Sequence, residues 1–278
     1  RRVSSPPVTS RPGDLLVLAV SAAREAAALV REARTGVVQV ADTKSSSVDV
    51  VTVTDRASEA LIRDRILAAR PDDSFLGEEG GRSIDGSSGI RWIVDPIDGT
   101  VNFLYGIPDF AVSIAAERVD SDGSGKGEVI LGVVIDVATG TEYAATHGGG
   151  ATRDGRPIGV RGEVPLAERL VLTGFSYSSE MRAVQAASVA RMLPRVRDIR
   201  RLGSCALDLC RIAAGNADGY VEEGTQLWDH AAAGLIAREA GARVEITRGT
   251  FGRDLVIAAP EQGFAEFRTL VVACGFLG

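Results

Sequence analysis

From Leu170 onward the chain alternates short apolar runs with stretches of helical period, which restricts its second half to a layered α/β arrangement. A strand at 170–173 precedes a helix around 179–192. A strand near 197–200, a helix at 204–214, a strand at 219–222 and a helix at 229–240 follow. Strands at 243–246 and 255–258 and a closing helix end the series. The first half reads differently. Residues 14–34 form a helix that Asp14 can cap, with Leu15, Leu18, Ala22, Ala26, Leu29 and Val30 as its apolar stripe. Asp55 is the expected N-cap of a second helix, whose stripe runs through Ala57, Leu61, Ile62, Ile66 and Leu67 and which ends before Pro71. Strands are then expected at 74–76 and 90–94, around a Gly- and Ser-rich loop at 79–89, and at 110–116, 129–137 and 142–145. Residues 120–127 are an exposed turn. The fold class is α/β, with an α+β first half (14–150), an α/β second half (151–278), a boundary near 148–156 and a flexible segment at 1–13.

Composition narrows the chemistry. No apolar run approaches the roughly 20 residues that cross a bilayer, and residues 1–13 lack the apolar core of a secretory signal. Cys205, Cys210 and Cys274 are odd in number and match neither a disulfide framework nor a zinc spacing, so a cytoplasmic location is expected. Cys205 and Cys210 read as core thiols on one helix. A net charge of −6 argues against nucleic acid, and the Arg-rich stretch 182–201 reads as a solvated helix face. There are two histidines: His147 reads as a turn residue, and His230 falls on the first turn of a helix. Zinc and Ser-His chemistry both draw on well-placed imidazoles, so the chemistry here is mostly that of carboxylates.

Four segments carry those carboxylates: Thr52-Val53-Thr54-Asp55, Gly77-Glu78-Glu79-Gly80, Asp95-Pro96-Ile97-Asp98-Gly99-Thr100 and Trp228-Asp229. In the third, Pro96 fixes φ and Asp98-Gly99 favours a tight turn, so two carboxylates can fold back onto one point. The Ile97 carbonyl adds a hard oxygen ligand, and an oxygen-only set suits Mg²⁺. A helix starting near Thr100 leaves the N–H groups of Gly99 and Thr100 free for an anion, for which phosphate is the natural guest. Alone, such a segment is equally an Asp-Gly turn closing a strand, Glu-Glu a solvated loop and Trp-Asp a helix cap. Their joint presence in this order favours a site.

Gly77-Glu78-Glu79, Trp92-Ile93-Val94-Asp95-Pro96-Ile97-Asp98-Gly99-Thr100-Val101-Asn102-Phe103 and the run from Trp228-Asp229 to Ala240-Gly241 resemble the signature segments of the inositol monophosphatase family, and more narrowly its bacterial SuhB-type branch. The segment from Lys44 to Asp55 is similar to the family's N-terminal motif, and the resemblance runs from about Asp14 to the end. It implies a layered αβαβα sandwich, a likeness to homodimeric enzymes, and hydrolysis of a phosphate monoester by metal-activated water. The metal ligands implied are Glu78, Asp95, the Ile97 carbonyl, Asp98 and Asp229, holding two to three Mg²⁺, with Mn²⁺ as an alternative. Thr100, bonded to Asp55, and Glu78 are the implied catalytic groups, and Gly99 and Thr100 hold the phosphate. Gly203, Cys205 and Glu222, with Asp98 and Asp229, fall where the family contacts the hydroxyl-bearing part of the substrate; Lys44 and Glu79 lie nearby. Four clustered carboxylates and a phosphate dianion carry about −6 together, which about three divalent cations neutralise. Inhibition by Li⁺ is implied as well.

The substrate implied first is inositol-1-phosphate or a similar small phosphorylated polyol, with no membrane or nucleic-acid partner. Histidinol phosphate, fructose 1,6-bisphosphate and 3′-nucleotide bisphosphates are the alternatives within the same mechanism. No basic cluster lies next to the motifs in sequence, which favours a monophosphate. Cys205 stands where a small apolar residue is common, Gln226 where some relatives carry His, and the 80–89 loop is variable; these touch substrate choice rather than reaction class. From another class comes a regulatory protein acting with the transcription machinery. Such a scaffold need not keep its metal ligands, yet the full implied set is present.

Overall fold

Two Ala- and Leu-rich helices set the first layer. In the computed structural model the described residues are 12–44, 49–80, 83–119 and 127–277. Helix α1 (Pro12–Ala33) buries Leu15, Ala19, Ala22, Ala26 and Val30 along one stripe. It starts at Pro12, so Asp14 lies in its first turn rather than at its cap, a place where a carboxylate still favours the helix dipole. Helix α2 (Val53–Ala69) corrects a second expectation: its N-cap is Thr52, and Asp55 sits at the third helical position. The two close a capping box. Thr52 N–H donates to Asp55 Oδ2 at 2.9 Å, and Asp55 N–H donates to Thr52 Oγ1 at 3.3 Å. Just before α2, strands β1 (Val40–Thr43) and β2 (Val50–Thr52) pair antiparallel. This hairpin escaped the sequence reading because β1 is exposed throughout and shows no apolar alternation.

The first sheet has seven strands in sequence order: β3 (Ser74–Gly77), β4 (Ile90–Asp98), β5 (Ala111–Val119), β6 (Gly127–Asp136), β7 (Glu142–Thr146), β8 (Ala151–Arg153) and β9 (Arg156–Pro157). Strand β3 runs parallel to β4, and all later neighbours are antiparallel. A short helix α3 (Thr100–Tyr105) leaves the end of β4, as the free N–H groups of the sequence reading require. The short strands β8 and β9, the second of them the sheet's edge and both unforeseen in the sequence, lie where the two halves were expected to divide. The turn expected at 120–127 lies, except for Gly127, outside the described residues.

The second half follows the predicted alternation closely. It comprises β10 (Leu170–Thr173), α4 (Ser179–Met192), β11 (Asp198–Arg200), α5 (Cys205–Ala213), β12 (Gly219–Glu223), α6 (Leu227–Glu239), β13 (Ala242–Arg248), β14 (Asp254–Pro260) and α7 (Glu261–Ala273). Its five strands order as β11-β10-β12-β14-β13, with β10 parallel to both neighbours and β14 antiparallel to both of its own.

Five layers result. Helices α1 and α2 cover one face of the first sheet with a core of Ile62, Ile66, Trp92, Phe103 and Ile114. Helices α5 and α6 fill the space between the sheets, where Leu207, Leu209, Ile212, Leu235 and Ile236 are buried. Helices α4 and α7 pack on the outer face of the second sheet over Val171, Val221, Ile257, Phe264 and Phe267. This is the αβαβα order expected. Because α5 and α6 touch both sheets, side chains at their N-termini can reach the end of β4. Among the described residues no helix is long and apolar enough to cross a membrane.

Candidate active site

The site begins with an irregularity in β4. Asp95 pairs with Ser113 and Asp98 with Ala111, so three steps along β4 oppose two along β5. In a regular strand two residues three apart face opposite sides; the extra residue of this bulge brings both carboxylates to one side. Pro96, which has no N–H for the ladder, sits inside the bulge. The strand was expected to stop at Val94 and give way to a tight turn; the bulge achieves the same convergence within the sheet. Gly99 then turns the chain at φ +92°, and a Cβ there would lie 2.9 Å from the Asp109 carbonyl oxygen and 3.2 Å from that of Gly203, so only glycine fits.

Each neighbour arrives on a different element. Thr100 Oγ1 lies 3.0 Å from Asp55 Oδ1 and 3.0 Å from the Ile97 carbonyl oxygen. Asp55 is fully buried behind it, held by the capping box, and does not itself line the cleft. Glu78 follows β3, its N–H donating to the Val94 carbonyl at 3.2 Å. Lys44, beyond β1, donates to Glu78 Oε1 and to Glu79 Oε1, each at 2.6 Å. Asp98 Oδ2 accepts from Ser204 Oγ at 2.5 Å and from the Ala206 N–H at 2.7 Å, both at the start of α5. Asp229, at the third position of α6, accepts from the Gln226 N–H at 2.6 Å. Glu222 on β12 accepts from Tyr220 Oη at 2.9 Å.

These groups line one cleft of about 300 Å³, which holds Lys44, Glu78, Asp95, Ile97, Asp98, Gly99, Thr100, Gly203, Cys205, Glu222 and Asp229. Of the residues singled out in the sequence, Asp55 and Glu79 stand behind its wall. The structure adds others. Glu59, four residues after Asp55 on α2, is buried, and its Oε2 accepts the Glu79 N–H at 2.7 Å, fixing the strand end that carries Glu78. Gly77 leaves room for it, since a Cβ there would fall 2.3 Å from the same oxygen. A helix-face plot shows Asp55 and Glu59 together, a signal present in the sequence. Arg201 and Arg253 also line the cleft, correcting the expectation that no basic residues gather near the motifs. Both arrive by folding, from the β11–α5 and β13–β14 connections.

The electrostatics are those of crowded anions. Burial pushes the Asp95 carboxyl up, and Glu78, Asp98 and Asp229 push it further. Burial raises Asp98 to about 7 against the opposing bonds from Ser204 and Ala206, with Glu222 and Glu78 adding to the rise. Asp229 is raised by burial, then by Glu78 and Asp98, with the Gln226 N–H opposing. Burial likewise raises Glu79 to about 7, and Lys44 offsets part of it. Seven carboxylates (Asp49, Glu78, Asp95, Asp98, Glu222, Glu223, Asp229) face the cleft against three cationic side chains, Lys44, Arg201 and Arg253. An all-oxygen, mutually repelling set of this kind fits a hard divalent cation. Among the described residues no three of these side chains close around a single point; protein donors engage Glu78, Asp98 and Asp229 individually.

The model of the inositol monophosphatase family matches residues 13–271. The chain belongs to this family. Within it the chain is 44% identical over 275 residues to inositol-1-monophosphatase SuhB of Mycobacterium tuberculosis, covering 92% of each chain. It is 38% identical over 231 residues to a Nus factor SuhB of Pasteurella multocida, covering 83% of this chain and 84% of that one. The extragenic suppressor protein SuhB of Bartonella henselae superposes with a TM-score of 0.83 at 32% identity, over 93% of this chain and 98% of that one. The inositol monophosphatase family is one of phosphatases and is generally metal-dependent, so the cleft at the end of β4 is set in an enzyme fold. The family match spans every segment that lines it.

Proposed function

We propose that the chain is a Mg²⁺-dependent phosphomonoesterase whose substrate is inositol-1-phosphate or a similar polyol phosphate. The observation that carries this reading is the convergence of Glu78, Asp95, Asp98 and Asp229, from the end of β3, from β4 and from the start of α6, around the Gly99–Thr100 turn. In this reading Glu78, Asp95, the Ile97 carbonyl, Asp98 and Asp229 hold two to three Mg²⁺, or Mn²⁺ in their place. When bound, the cations supply neutralisation of phosphoryl charge and acidification of water.

The remaining roles belong to the chain. The Thr100 hydroxyl, donating to Asp55, keeps its lone pairs for the proton of an attacking water, and Glu78 stands beside it as base. The N–H groups of Gly99 and Thr100, at the start of α3, have no carbonyl within their own helix and serve the phosphate oxygens. Gly203, Cys205 and Glu222, with Asp98 and Asp229, contact the hydroxyl-bearing part of the substrate. Lys44 and Glu79 restrain Glu78. The protomer acts as a homodimer, which light scattering tests directly.

The decisive experiment is a phosphate-release panel with Mg²⁺. Turnover of inositol-1-phosphate far faster than histidinol phosphate is expected; reversed selectivity would sink the substrate while leaving the mechanism. A second reading is favoured by the Pasteurella relative's name, Nus factor. It makes the chain a binding partner in transcription as well as a hydrolase. Pull-down of transcription factors with wild type and Asp95→Asn tests it, and no capture by either protein rejects it.

A further inference from the structure

The cations of the cleft fall into two kinds. Lys44 is consumed by Glu78 and Glu79. Arg201 and Arg253 are exposed, and among the described residues neither guanidinium forms an ion pair or a hydrogen bond. A neutral polyol ring needs no cation, and the scissile phosphate has the glycine turn. Arg201 lies near enough to Glu222 to pull its carboxyl down against burial, yet neither guanidinium is taken up in a direct ion pair, so both keep donors for an anionic guest in the cleft.

Both arginines sit on backbone that the fold holds in place. Arg201 lies in the turn between β11 and α5, its guanidinium laid across Gly203. A Cβ at Gly203 would stand 2.6 Å from Arg201 Nη1, and φ is +109° there, so glycine both makes the turn and leaves room for the cation. Arg253 closes the β13–β14 turn, where its carbonyl accepts the Gly249 N–H at 2.9 Å. That turn is anchored by Glu223, which is only 4% exposed and whose Oε1 accepts the Phe251 N–H at 2.7 Å. Gly249 permits the anchor, since a Cβ there would lie 2.2 Å from Glu223 Cδ. The cation positions are thus set by two glycine-dependent turns on different elements, opening on one cleft.

We propose that Arg201 and Arg253 form an outer anion subsite that receives a second negatively charged substituent of the substrate, a phosphate or a carboxylate, beyond the phosphate being cleaved. The proposal rests on the phosphomonoesterase reading above and narrows its substrate class to polyol phosphates with a further acidic group. The same cations disfavour a substrate bearing an ammonium group, such as histidinol phosphate.

The test compares kcat/KM of the Mg²⁺-loaded enzyme for inositol-1-phosphate, inositol 1,4-bisphosphate and 6-phosphogluconate. The second carries an extra phosphate and the third a carboxylate. Wild type is expected to prefer at least one doubly anionic substrate. In Arg201→Gln/Arg253→Gln its preference ratio over inositol-1-phosphate should fall about tenfold, through KM rather than kcat. The arm that falls more identifies the group received. Ratios unchanged within about twofold, or an equal loss on all three substrates, overturn the subsite; the equal loss assigns the arginines to the scissile phosphate. No phosphate release from any of the three by wild type rejects the phosphomonoesterase reading and the subsite with it. Release from inositol-1-phosphate with unchanged ratios rejects the subsite alone.

Discussion

Ser204 Oγ donates to Asp98 Oδ2 at 2.5 Å across 106 residues of sequence, joining the end of a first-sheet strand to the N-cap of α5. The same hydroxyl accepts from the Leu207 N–H at 3.2 Å, so one side chain caps a helix and orients a carboxylate of the cleft. Replacing Ser204 by Ala removes both roles at a buried position. A loss of about 1–3 kcal/mol is expected in urea unfolding. Ser204→Thr, which keeps the hydroxyl, should recover most of it; equal losses for both variants would refute the hydroxyl's role.

Asp98→Asn removes charge and almost no volume. Turnover should fall at least a hundredfold, roughly the worth of one well-placed charged group in a dry site. Stability should hold, because Asn Oδ1 can still accept from Ser204 and one repelling charge is gone. Phosphate release and a thermal melt on the same preparation check it, and normal activity in the variant would remove Asp98 from the proposed ligand set.

Cation binding has a readout independent of turnover. Mg²⁺ at about a hundred times its Kd should stabilise the fold by about 2.7 kcal/mol, seen as a rise of several degrees in the melting midpoint. The rise should shrink in Asp95→Asn. A midpoint that ignores Mg²⁺ in wild type contradicts the proposed ligand role. Millimolar Li⁺ should slow turnover by competing for one of these positions, and an insensitive enzyme would set this site apart from the family pattern.

His230 gives a pH signature from outside the catalytic groups. It is buried, its Nε2 has no hydrogen-bond partner, and burial lowers its pKa to about 4, with Asp254 pulling the other way and Arg238 adding to the fall. The folded chain keeps the ring neutral, while the unfolded chain protonates it below about 6.5. Its contribution is therefore intact above that pH and is lost as the pH falls toward 4, by about 3 kcal/mol at the limit. The raised carboxylates Asp95, Asp98 and Asp229 slope the opposite way, so the comparison is wild type minus His230→Phe. That difference should be flat above neutrality and fall, to the wild type's disadvantage, on acidification; a pH-independent difference refutes the assignment.

Much of this site was legible because its chemistry is written in short contiguous segments. Asp95, Asp98, Gly99 and Thr100 occupy six residues, and the strand before them is plainly apolar. The alternation after Leu170 likewise marked β10 and α4 at the bounds the structure gives them. What stayed hidden depends on distance. Nothing local marks Arg201 or Arg253 as facing the carboxylates, since the turns that carry them meet the cleft only once the second sheet forms. The Thr52–Asp55 box was misread by three residues because either side chain can cap a helix. The bulge in β4 was hidden for another reason: it is a matter of register against β5, which no single strand reveals.

The helices α5 and α6, wedged between the two sheets, also govern when the cleft exists. Asp229 lies some 130 residues after Asp98 and within the last fifth of the chain. During synthesis the first sheet emerges long before the residue that completes its carboxylate set. A nascent or truncated chain therefore presents Glu78, Asp95 and Asp98 without Asp229, Gly203 or the Ser204 that steadies Asp98. Catalysis in this architecture should switch on as a single late event, and regain of activity during refolding should trail the recovery of secondary structure.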